Sequence, residues 1–133
     1  MPSARLSVVV ATVRAMSTIE MGGVTIDCVD PQKLAEFWTE ALGTTVAGDY
    51  GEYVFLAPNA ENGPYLGLQR VPEERAGKNR VHIDFRTHDR AAEVARLVKL
   101  GATEVGEHTV PGLSWTILED PEGNVFCVGT PHA

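Results

Sequence analysis

The stretch VHIDF, Val81 to Phe85, repeats an earlier one, VTIDC, Val24 to Cys28. The two lie 57 positions apart, and Leu42-Gly43 recurs 58 positions on as Leu100-Gly101. Each copy opens on an alternating stretch and reaches Leu-Gly after a helix-like segment, with one extra residue in the second copy. Internal repetition of this kind defines an architecture before any single motif does. Side chains alternate across a strand, so Thr25 and Asp27 share one face, as do His82 and Asp84. Val24, Ile26 and Cys28 take the other face, the one that faces the helices.

The segment between strand and Leu-Gly reads as a helix in both copies. In the first, Asp30 is a good N-cap and Pro31 suits the first helical position. Leu34, Phe37, Trp38, Ala41 and Leu42 follow the spacing of one buried helix face. Gly43 ends it where a left-handed residue is wanted. In the second copy Asp89 or Thr87 caps the helix. Ala91, Val94, Ala95 and Val98 form its apolar stripe, Leu97 widens it, and Gly101 ends it. Strand signals follow each helix: 44–47, 53–57 and 65–71, then 103–107, 114–119 and 124–128. The last two are joined by DPEGN, residues 120–124, which carries hairpin turn chemistry. Each copy therefore reads strand, helix, strand, strand, strand. The expected modules are about 22–71 and 80–129, in one α+β domain over 21–133, with Arg70 to Arg80 as a polar link.

The chain has 133 residues, 44% of them hydrophobic, which suits a single domain with its own core. A formal charge of -7 argues against a nucleic-acid surface or an anionic membrane and favours a neutral or cationic partner. The first fifteen residues, MPSARLSVVVATVRA, differ in character from the rest. Their apolar run, Leu6 to Val13, is too short to span a membrane. Residues 1–20 read as an N-terminal extension: a poor leader, a start read too far upstream of Met16, or a terminal strand or dimer arm. On the strand assignments Cys28 and Cys127 point to opposite faces and do not pair, which fits a reducing, cytoplasmic setting.

A tandem βαβββ repeat of this size resembles the vicinal oxygen chelate superfamily. That group includes glyoxalase I, bleomycin-resistance proteins and extradiol dioxygenases. The resemblance covers about residues 22–129, and its most specific pieces are DCVDPQKLAEFW, LGLQRVPE, KNRVHIDF and DPEGNVFCV. It implies a curled sheet forming a cup with helices outside. It also implies a metal-ligand position on the first and last strand of each module. By the repeat these are Thr25, Gln69, His82 and Cys127, with Cys127 standing where a glutamate is usual. It further implies a homodimer, by analogy alone.

The quartet offers one imidazole, one thiol, one amide and one hydroxyl. Amides and threonine are weak ligands for transition metals, so no metal or other cofactor is expected. A third ligand from Asp27 or Asp84 would be needed to reverse that. What remains is a polar cup floor, with Thr25 and Asp27 from one module and His82 and Asp84 from the other. Trp115, Tyr53 and Phe55 sit mid-module and suit the wall of a ligand cavity or ordinary core packing. Two classes stay open. One is a metal-free binder of a small polar or cationic molecule, touched by Thr25, Asp27, Gln69, His82, Asp84, Trp115 and Cys127. The other is a lyase or isomerase using His82 with Asp84 or Asp27. The bland alternative for each aspartate is a pair with Arg70, Arg80 or Arg86.

Overall fold

The computed structural model describes residues 17–130; the N-terminal extension up to residue 16 and His132 lie outside the described residues. The first module runs β1 (Gly23–Cys28), α1 (Pro31–Leu42), β2 (Val46–Asp49), β3 (Tyr53–Leu56) and β4 (Tyr65–Arg70). The second runs β5 (Ile83–Arg86), α2 (Arg90–Leu100), β6 (Thr103–Val110), β7 (Leu113–Glu119) and β8 (Val125–Gly129). Each module folds into a four-stranded sheet of the same order, β1-β4-β3-β2 and β5-β8-β7-β6. In each, the first and last strands pair in parallel and the other neighbours are antiparallel. This is the tandem βαβββ fold that the repeat predicts.

The helix caps form where the sequence places them. The Asp30 carboxylate accepts from the Lys33 amide at 3.1 Å, and Gly43 ends α1 at φ 63°. Asp89, not Thr87, caps α2: its carboxylate accepts from the Ala92 amide at 3.1 Å, while the Thr87 hydroxyl accepts from the Asp89 amide. The apolar face of α2 differs from the expected stripe. Val94 and Leu97 are buried and Leu100 packs against the core, while Ala91, Ala95 and Val98 stay exposed. The Arg96 guanidinium donates to the Glu40 and Ala41 carbonyls at the end of α1, which ties the Val94–Leu97 side of α2 to the first helix.

One core joins the modules. Trp38 of α1 lies 5.8 Å from Phe85 and 5.0 Å from Phe126, both in the second sheet. Its indole N–H donates at 2.9 Å to the buried Asp120 carboxylate in the β7–β8 turn. The same turn reaches back again through Glu122, which accepts from the Val29 and Asp30 amides at 2.6 and 2.9 Å. The linker is fastened there too, by an Arg75–Glu119 ion pair at 3.0 Å. Asn79 Oδ1 accepts from the Val125 amide at 3.0 Å. That last bond uses the amide that would extend the β5–β8 ladder, so β5 begins at Ile83 and not at Val81. His82 therefore sits just ahead of the strand.

Candidate functional site

The site lies on the concave face of the second module, and the strand register sets its layout. Asp84 pairs with Cys127, and Cys127 with Ile117, so their side chains share one row across the sheet. The next row on the same face is Arg86, Gly129, Trp115 and His108. His82 precedes Asp84 on the same side. One ligand atom each from His82, Asp84 and Cys127 lies within 4.8 Å of the other two. They border a cavity of about 700 Å³ that also takes in Trp115, Arg86 and Leu113.

The electrostatics suit an unreactive thiol beside a solvated carboxylate. Burial pushes the Cys127 thiol above its ordinary range, and the charge and hydrogen bond of Asp84 add to that. Cys28, in the core of the first module, is pushed up to about 12 by burial, then by the charges of Glu122 and Asp120. Both cysteines are unpaired.

Thr25 and Asp27 are exposed on the corresponding face of the first module, where Asp27 pairs in register with Gln69. They border a separate crevice of about 400 Å³ beneath the linker, and His82 is common to both cavities. Asp84 and Cys127 belong only to the larger one, and Gln69 borders neither. Among the described residues, neither Asp27 nor Asp84 makes a salt bridge. Arg70 is engaged instead by Glu52, Gln32 and the Val29 carbonyl.

The family-type quartet does not fit a metal ion. Thr25 and Gln69 are poor donors, and Gln69 stands outside the cavity that holds Cys127. The trio of His82, Asp84 and Cys127 is a different set, with three donors of the right chemistry. A tetrahedral ion holding N, O and S at about 2.0–2.3 Å keeps such donors about 3.3–3.8 Å apart, so rotamer changes would have to close the trio.

Sequence reasoning missed three residues here. Arg86 continues the His82, Asp84 alternation and was legible from it. His108 stacks on Trp115 with ring centroids 5.5 Å apart and planes 23° apart, a contact that depends on the β6–β7 register. Gly129 matters for the side chain it lacks. On the first module's face Tyr53 and Phe55 are joined by Tyr50 and Tyr65 in a chain of ring contacts of 5.6 to 6.4 Å.

A family model described as glyoxalase-like domain matches residues 23–129. No functionally curated protein matches the chain in sequence. Solved structures do. One is a glyoxalase/bleomycin resistance protein/dioxygenase family enzyme from Burkholderia phytofirmans PsJN, 17% identical, covering 84% of this chain and 98% of its own, with a TM-score of 0.71. A glyoxalase family protein from Bacillus cereus is 18% identical, over 88% and 97%, with a TM-score of 0.69. The fosfomycin resistance protein FosX from Mesorhizobium loti is 14% identical, over 86% and 94%, with a TM-score of 0.68. At these identities the likeness is one of fold.

Proposed function

The chain belongs to the glyoxalase-like domain family, and from that premise we propose that it is a metal-free binding protein for a small polar molecule. The observation that carries the reading is the convergence of His82, Asp84 and Cys127 on a cavity walled by Trp115. A large concave cavity with a few convergent polar groups and an aromatic wall is what a small-molecule site requires. His82 and Asp84 contact the ligand, Cys127 lines the floor, and Trp115 packs against its flat side. Thr25 and Asp27 offer a polar surface to a ligand that extends past His82 toward the first module, while Gln69, which borders neither cavity, stands outside its reach. No helix of the described residues is long and apolar enough to cross a membrane. We place the protein in the cytoplasm as a homodimer, with neither nucleic acid nor membrane as partner.

A thermal-shift screen of small polar compounds tests the reading, because a ligand that binds only the folded state raises the melting temperature. Compounds that stabilise the wild type should lose their effect in Trp115→Ala, and the size of their effect should shift in Asp84→Asn. Hits indifferent to both substitutions would sink it.

One observation favours a second reading, a lyase or isomerase of the superfamily with a divalent metal on His82, Asp84 and Cys127: three donors of ligand chemistry gathered at one place. A bound ion there would supply Lewis-acid polarisation of a substrate oxygen. Metal analysis of untagged protein separates the two readings. One equivalent of zinc, iron or manganese, lost in His82→Ala, selects the metalloenzyme.

A further inference from the structure

Resting on the reading of this cavity as a ligand site, we propose that it selects a flat ring acid. The ligand is an aromatic or heteroaromatic carboxylate, laid over Gly129 with its carboxylate on Arg86 and its ring against Trp115. The row Arg86, Gly129, Trp115, His108 crosses four adjacent strands on the concave face. Neighbouring strands stand about 4.8 Å apart, so Arg86 and Trp115 are separated by roughly 10 Å with only a glycine between them.

Nothing in the backbone demands that glycine. Gly129 is not among the residues with positive φ. A Cβ built on it would meet Trp115 Cβ at 3.5 Å, the Ser114 carbonyl at 3.6 Å and the Phe85 carbonyl at 3.9 Å, all ordinary contacts. The fold tolerates a side chain here, and the absence of one leaves an open slot between a guanidinium and an indole. The indole is braced from behind by its stack on His108, which fixes a flat apolar platform.

Arg86 supplies the charge. Arg70, Arg75, Arg90 and Arg96 each make a salt bridge, whereas Arg86 has neither a salt bridge nor a side-chain hydrogen bond among the described residues. Its planar fork matches a carboxylate with two parallel hydrogen bonds. Asp84, two residues away on the same strand face, repels a carboxylate and accepts from a ring hydroxyl or N–H, so only one orientation is favourable. The chain's overall charge of -7 points toward cations. Local charge decides, because exposed charges beyond about 8–10 Å are screened at physiological salt.

Titration calorimetry with three matched probes tests this: naphthalene-2-carboxylate, naphthalene-2-carboxamide and 2-naphthylmethylammonium. On the unaltered chain the carboxylate should bind tightest and the ammonium weakest. Arg86→Gln should weaken the carboxylate about tenfold or more, as expected for a charge-assisted pair, and leave the carboxamide unchanged. Gly129→Val should weaken both by filling the slot. A preference for the ammonium, or a carboxylate affinity untouched by Arg86→Gln, overturns the proposal. If Gly129→Val still blocks binding in that case, the ligand cavity survives and only its anion preference falls. Binding of none of the three probes overturns the ring-acid proposal, while the cavity reading stands or falls on the thermal-shift screen.

Discussion

The two concave faces share a strand order but use their glycines in opposite ways. In the first module Gly67 is covered: a Cβ there would lie 2.9 Å from Thr25 Oγ1 and 3.3 Å from the Phe55 ring. Gly23 and Gly48 are covered likewise, by Tyr65 and Tyr50. Rings lie on bare backbone there, while Thr25 and Asp27 stay exposed beside them. In the second module Gly129 carries nothing, and the neighbouring side chains are a thiol, a carboxylate, an imidazole and a guanidinium. Glycine thus packs one sheet and opens the other. The turns diverge as well. Ala57-Pro58 follows β3 where Asp120-Pro121 follows β7, and only the aspartate binds across to the other module.

The largest expected effect tests the turns. Asp120→Ala strands the Trp38 indole N–H and the Glu122 and Asn124 amides, all bonded to that carboxylate. Each buried donor left without its acceptor costs about 1–3 kcal/mol, so the loss of three such bonds should total about 3 kcal/mol or more. Urea melts should register it, and a loss below about 1 kcal/mol would mean that the turn does not clasp the modules.

The glycine contrast is next. Gly67→Val should destabilise by about 1–3 kcal/mol through overpacking against Thr25 and Phe55. Gly129→Val should stay within about 0.5 kcal/mol of the wild type. Equal losses at both positions would erase the distinction between a packed face and an open one.

Alkaline melts probe the buried thiol of the first module. The folded state holds Cys28 protonated up to about 12, against an ordinary value of 9.0. Its contribution is therefore complete below pH 9.0 and is lost as pH rises from there toward 12. The slope approaches about 1.4 kcal/mol per pH unit in that window. Cys28→Val should flatten the profile, and an unchanged slope would point to other groups.

The smallest expected change concerns the aspartates. Asp27→Asn and Asp84→Asn, singly or together, should move stability by no more than about 0.5 kcal/mol, since neither makes a salt bridge. A large loss in both would make them scaffold, and the polar floor would lose its functional reading. Chelator should leave the melting temperature unmoved.

Much of this comparison is written in the sequence. The repeat, both aspartate caps and the Gly43 terminus are local signals, and local signals survive without tertiary context. The alternation of His82 and Asp84 placed them together, and Cys127 joined them through the ligand position that the family resemblance implies. What the chain could not reveal depends on register and on helix packing. The expected strand 103–107 stops short of His108, which meets Trp115 because β6 runs on to Val110 and turns at once into β7. The packing of α2 buries Val94 and Leu97 and leaves Ala91, Ala95 and Val98 of the expected stripe exposed. The early end of the β5 ladder came from an asparagine side chain in the linker.

The reach of the β7–β8 turn has a kinetic side. Trp38 and Asp120 are 82 residues apart, and Val29 and Glu122 are 93 apart, so the clasp closes only after most of the chain has been gathered. Contacts of such separation are met late and raise the entropy lost before they form. The clasp and the shared core tie the burial of each repeat to the presence of the other. A nascent chain halted in the polar linker would hold Trp38 without its partner and with an apolar face uncovered.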